Sequence, residues 1–181
     1  MQLAVLVLVI GIDPGSTATG LAAVTRRRGR VVLVGGAVIR TQTAAGVPAR
    51  LHTIHAGIEA FLIEMQALLG EQADAVAIEQ IFLHRSAESA LRLGQARGVA
   101  LLAAAQAGLT VVEYNAMTIK KTVAGHGRAE KAQVGLMVQR LLGLDQPLAS
   151  DAADAAAIAL THISLGAHRA RLAAHAAKQA Q

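Results

Sequence analysis

Apolar residues dominate the N-terminal part of the chain and are broken only by short clusters of turn residues. Residues 3–12 form a nearly unbroken apolar run closed by Asp13-Pro14-Gly15-Ser16, and runs at 20–26 and 30–40 are separated by Arg27-Arg28-Gly29. Such runs predict three β-strands, and the tight breaks suit an antiparallel meander. From 49 to 69 the period changes. Leu51, Ile54, Ile58, Phe61, Leu62 and Met65 recur at helical spacing, with Pro48 acceptable in the first turn. A short buried strand at 75–79, a polar loop to Ser86 and a helix over 88–106 follow. A strand at 109–114, a short helix at 118–123, the loop Gly125-His126-Gly127-Arg128 and a helix over 130–142 complete the middle. Ser150 is expected to cap a last helix, with Asp151 in its first turn. Three antiparallel strands followed by α-β-α-β-α predict an α/β fold: a mixed five-stranded sheet with helices on both faces. No repeat or internal boundary interrupts the pattern. One domain is expected over 1–165, with 166–181 an Ala- and His-rich tail, helical or partly disordered.

Composition narrows the class. A chain of 181 residues is long enough for one full-sized core. Hydrophobic content of 54% raises the membrane question. The apolar runs are all shorter than the roughly 20 residues that span a bilayer, and the first ends in Asp-Pro-Gly without a basic leader. Cysteine is absent, which excludes disulfides and thiolate zinc sites and agrees with a cytoplasmic location. A net charge of +5 favours an anionic partner, of which nucleic acid is the commonest.

Against that basic background, four acidic residues stand out: Asp13, Glu79, Asp151 and Asp154. Asp13 and Glu79 each close an apolar run, where an unpaired charge is costly to bury. Asp151 and Asp154 lie three apart at the start of an alanine-rich helix and share one of its faces. Taken singly, three have an ordinary explanation, turn chemistry for Asp13 in Asp-Pro-Gly and the helix dipole for the Asp pair, whereas Glu79, which ends AVAI and is followed by apolar Ile81 and Phe82, is harder to dismiss. Together they form a self-repelling cluster unless a strongly positive group sits among them, and Mg²⁺ is the natural occupant of such an oxygen-only site.

The order Asp-strand, Glu-strand, Asp-x-x-Asp helix resembles the ribonuclease H-like nucleases. The longer match resembles the RuvC family of Holliday-junction resolvases, through GIDPGSTATG at 11–20, AIEQIF at 77–82, SALRLGQARGVA at 89–100, TVAGHGRAEKAQV at 122–134 and DAADAAAIALTH at 151–162. The resemblance implies a crossover junction endodeoxyribonuclease that nicks two like strands of a four-way DNA junction. It implies two Mg²⁺ per site, with Mn²⁺ able to substitute, held by Asp13, Glu79, Asp151 and Asp154, and Lys131 beside the scissile phosphate. DNA contacts are expected from Phe82, Arg85, Lys120, Lys121, Arg128 and Lys131. A homodimer is expected around Leu91, Gly94, Gly98 and Leu101, with the RuvA and RuvB branch-migration proteins as partners. Phe82 has a bland alternative as a core residue, and the glycines one as a packing surface against the chain's own sheet. Three further readings compete: a ribonuclease H-like nuclease acting on RNA or hybrid, a non-catalytic junction-binding module, and a phosphate-binding turn of the actin-like ATPases. The last needs a second lobe.

Overall fold

The computed structural model describes residues 7–42, 44–80 and 86–179, with side chains through 166. Phe82, Arg85 and the first residues of the predicted opening strand lie outside that set. The elements in chain order are β1 (Val7–Asp13), β2 (Ala18–Arg27), β3 (Arg30–Arg40), α1 (Val47–Leu69) and β4 (Ala75–Glu79). They continue as α2 (Ala87–Gln106), β5 (Val111–Tyr114), α3 (Ala116–Ala124), α4 (Lys131–Leu142) and α5 (Ser150–Gln179). The five strands form one sheet in the order β3-β2-β1-β4-β5. β1–β2 and β2–β3 pair antiparallel, whereas β1–β4 and β4–β5 pair parallel. This is the expected mixed sheet of a ribonuclease H-like fold.

Strand alternation divides the apolar residues between two cores. Leu8, Ile10, Ile12, Val76 and Ile78 point to one face and pack with Ile54, Ile58 and Phe61 of α1 and Ala96 and Ala100 of α2. Val9, Ala22, Val24 and Ala77 point to the other and pack with α3, α4 and α5. The second core is thin because α5 presents alanines, and two glycines let its backbone lie on the sheet. A Cβ on Gly11 would stand 1.9 Å from the Ala155 carbonyl oxygen, and one on Gly20 would stand 1.9 Å from that of Asp151. Side chains at either position would push the start of α5 off the strands.

Local chemistry sets the element ends. Asn115 caps α3 by accepting from the Thr118 N–H at 2.8 Å. Gln133 accepts from the Glu130 N–H at 2.9 Å, which makes Lys131 the first residue of α4. β5 begins later than its apolar run predicts, because Leu109 still donates to the Ala104 carbonyl at 3.0 Å, closing the end of α2 around Gly108 at φ 70°. At α5 the expectation for Ser150 is corrected by one position. The Ala153 N–H donates to the Ala149 carbonyl at 2.8 Å, so Ala149 occupies the cap and Ser150 is the first helical residue. Asp151 remains in the first turn. The backbone of α5 continues without a break to Gln179.

Candidate active site

The three carboxylate-bearing elements meet at one edge of the sheet. β1 and β4 are parallel neighbours with Ile12 opposite Ile78, so Asp13 and Glu79 end adjacent strands side by side. Alternation turns both toward the α5 face, since Asp13 shares its parity with Val9 and Gly11, and Glu79 with Ala77. On the other flank Asp13 pairs with Gly20, whose missing Cβ is the space taken by the Asp151 carbonyl. The same contact therefore seats α5 and brings Asp151 and Asp154 to Asp13.

The electrostatics show the convergence. Asp13 is pushed up from 3.8 to about 7, first by burial and then by the charges of Asp154 and Glu79, with Asp151 adding a smaller share. Glu79 is also raised, by burial first and by Asp154 second, while Lys120 and Lys131 pull it down. Among the described residues the cluster has one direct counter-charge: Lys131 Nζ lies 2.6 Å from Asp154 Oδ2. The hydrogen bond to Asp154 raises the Lys131 pKa, which keeps that ammonium charged. Among the described residues no three His, Cys, Asp or Glu side chains close into a group that could hold a metal ion. The carboxylates are near enough to repel one another, and Asp154 is turned to Lys131.

An open cleft of about 500 Å³ lies along this edge. Asp13, Glu79 and Asp151 line it together with the 13–18 turn, Ala116 at the start of α3, and Ser89 and Arg92 on α2. The turn is held by residues that the sequence patterns did not single out. Buried Thr19 donates through Oγ1 to the Gly15 carbonyl at 3.0 Å and accepts from the Gly15 N–H at 3.3 Å. Thr41 Oγ1 donates to the Ser16 carbonyl at 2.8 Å, and the Arg50 guanidinium donates to the same oxygen. Thr19 carries a signal in hindsight, as a polar residue at a buried position of an apolar strand. Arg92, which pairs with Glu88 one turn earlier on α2, carries none.

The remaining predicted residues fall as follows. Lys120 is half-buried on α3 and close enough to Glu79 to lower its pKa. Lys121 and Arg128 are exposed. Leu91, Gly94 and Gly98 lie on an exposed stripe of α2, and a Cβ on either glycine would meet open space. That stripe is continued by exposed Leu102, while Leu101 leans against the core between the sheet, α1 and α2.

A mixed sheet of this order, with carboxylates at the ends of its central parallel strands and on the helix packed against them, defines a ribonuclease H-like nuclease. Comparison with known proteins makes the class specific. A family model described as "Crossover junction endodeoxyribonuclease RuvC" matches residues 9–162, and the chain belongs to that family. The RuvC of Geobacter sp. (strain M21) is 42% identical over 167 residues, covering 92% of this chain and 96% of the relative. That of Photorhabdus laumondii subsp. laumondii is 46% identical over 155 residues, covering 86% of each. The structure of T. thermophilus RuvC in complex with a Holliday junction substrate superposes with a TM-score of 0.80 at 39% identity, covering 88% of this chain and 94% of that one.

Proposed function

We propose that this chain is a Holliday-junction resolvase: a metal-dependent endonuclease that cuts two like strands of a four-way DNA junction. The observation that carries the reading is the convergence of Asp13, Glu79, Asp151 and Asp154 at the sheet edge, with burial and mutual repulsion holding Asp13 near 7. Membership of the RuvC family and the likeness to a RuvC–junction complex supply the substrate.

The chemistry of the donor set suits hard divalent cations, for which Asp154 would turn from Lys131 and the carboxylates would close together. It offers carboxylate oxygens only, its net charge is negative, and its one direct ammonium partner is displaceable at the surface. Asp13, Glu79, Asp151 and Asp154 would hold two Mg²⁺, with Mn²⁺ able to replace them. When bound, such a pair supplies activation of the attacking water and stabilisation of the leaving 3′ oxygen. The chain's own residues do the rest. Lys131, released from Asp154, and Lys120, beside Glu79, offset charge on the scissile phosphate. Arg92 and Ser89 form the opposite wall of the cleft. Phe82 and Arg85, just beyond β4, would meet an unpaired base and a phosphate at the opened crossover. Lys121 and Arg128 extend the basic border.

A four-way junction has two-fold symmetry, so two copies of this chain related by a two-fold axis would present one site to each of two like strands. The exposed stripe of Leu91, Gly94 and Gly98 supports such a homodimer, with Leu101 bracing the helix from beneath. RuvA and RuvB are the partners this reading implies, acting in the cytoplasm. The deciding experiment incubates the purified protein and Mg²⁺ with labelled junction, linear duplex and RNA–DNA hybrid. Paired nicks confined to the junction are expected. Cutting of hybrid alone would return the chain to a general ribonuclease H-like activity, and binding without cutting would make it a junction-binding module.

A further inference from the structure

Four of the chain's 17 lysines and arginines stand together at the end of the β2–β3 hairpin away from the cleft. Arg26, Arg27, Arg28 and Arg30 fall within five positions, and without them the formal charge drops from +5 to +1. They form the tip of the β2–β3 hairpin, where Arg27 pairs with Arg30. Arg27, Arg28 and Arg30 are exposed. The two-residue connection has Arg28 at φ 48° and Gly29 at φ 82°. Both are left-handed, the geometry that favours Asn-Gly. Arg28 is the one non-glycine residue with positive φ among the described residues. A side chain ill-suited to the turn occupies it, and what it adds is charge.

The position of the tip gives that charge a direction. β3 is one of the two edge strands of the sheet. Its other end is exposed Arg40, paired with Ala18, which lines the cleft. The 11 residues from Arg30 to Arg40 extend about 33 Å at the usual strand rise. That matches about ten base pairs of duplex at 3.4 Å each. We propose that a duplex arm leading away from the cut site runs along the outer edge of β3, its phosphate backbone held at the two ends of that track by Arg40 beside the cleft and by the arginine tip, with the uncharged residues 31–39 between them. The tip adds affinity and arm placement, and it takes no part in the chemistry.

The test compares the protein with the triple variant Arg27→Gln, Arg28→Asn, Arg30→Gln, in which Asn at 28 suits the turn and protects the fold. Metal-free binding is measured by gel shift on junctions with arms of about 20 and about six base pairs, the shorter reaching only about 20 Å and so falling short of the tip. The unsubstituted protein should prefer long arms and the variant should not. If all three arginines meet phosphates, the salt slope on long arms should fall by about three, so that the unsubstituted protein loses about 40-fold more affinity than the variant between 50 and 200 mM salt. Cutting of saturating junction with Mg²⁺ should be unchanged. Arg28→Asn alone should lower the slope by about one while keeping the thermal midpoint or raising it. An unaltered slope and arm-length preference would overturn the track, including the case in which the tip proves to bind an acidic protein instead. Equal loss on short and long arms would overturn it too.

Discussion

Replacing Asp13 by Asn separates a metal-holding carboxylate from a structural one by the sign of its effect on stability. Asp13 is raised in the folded protein to about 7, against about 3.9 in an unfolded chain. Between those values the folded state binds the proton more tightly. Stability associated with protonated Asp13 is therefore fully present below about pH 4 and is lost as pH rises through about 7. A gap of about three pH units at 1.36 kcal/mol each sets a ceiling near 4 kcal/mol on that loss. Asn keeps a polar amide in the same place, so only part of the desolvation cost is recovered. The repulsion from Asp154, Glu79 and Asp151 is removed in full.

A gain of about 1–3 kcal/mol is expected for metal-free Asp13→Asn at pH 8. In a chain of this size that is roughly 3–9 °C in the thermal midpoint. The gain should shrink toward zero as the pH is lowered to 4, where the native carboxyl is already protonated. Mg²⁺-dependent nicking should fall to near background, while metal-free junction binding should persist or tighten. The measurements are thermal unfolding with chelator from pH 4 to 8, gel-shift binding and nicking of a labelled junction. A carboxylate that merely braces the 13–16 turn requires the opposite: a loss of about 1 kcal/mol at every pH, with cutting retained. Retained nicking, or a variant less stable at pH 8, would refute the reasoning.

Lys131→Ala and Lys120→Ala should each lower the cutting rate more than junction affinity, with the salt slope of binding reduced by about one; equal losses in rate and affinity would make them docking residues only. Lys131 is 65% and Asp154 28% exposed, so losing that ion pair should cost no more than about 1 kcal/mol of metal-free stability in denaturant titration. Gly20→Ala should be costly, about 3 kcal/mol or more by denaturant unfolding, because its Cβ would stand 1.9 Å from a backbone oxygen that cannot rotate away. Phe82→Ala should leave the thermal midpoint unchanged while impairing junction cutting; a large fall in the midpoint would return Phe82 to the core.

The strands and the mixed, antiparallel-then-parallel sheet were legible because apolar runs and turn clusters mark them, whereas the strand order β3-β2-β1-β4-β5 is a property of the folded chain. Asp13 and Glu79 end apolar runs, and each keeps the parity of small residues, Gly11 and Ala77, that the sheet places under α5. What eluded the patterns depends on contacts between distant segments. Thr41 and Arg50 reach Ser16 across 25 and 34 positions, and no local periodicity announces such a bond. The pairing of Lys131 with Asp154 requires α4 to lie beside α5. The choice between Leu101 and Leu102 is one of helix phase, where a single residue turns the side chain by about 100°. Leu102 faces solvent and Leu101 the core.

Gly11 and Gly20 connect the legible part of the site to the hidden part. Neither touches a ligand, yet both let a helix carrying two carboxylates lie against a strand ending in a third. The backbone contact fixes the approach of α5 before any cation is present, so the repulsion at Asp13 is a property of the fold. Relaxing it by moving α5 outward would open the thin alanine core beneath, where Ala155, Ala156 and Ala159 are fully buried. Proton uptake relieves it with every backbone contact in place, and burial first, then the charges of Asp154 and Glu79, push Asp13 up to about 7. Lys131, first on α4 and 65% exposed, satisfies Asp154 at the rim of the cluster, and under the proposed function it would turn to the scissile phosphate. In the proposed reaction, carboxylates seated by backbone contacts and an exposed ammonium at their rim would accept cations and substrate phosphate with little rearrangement of the fold.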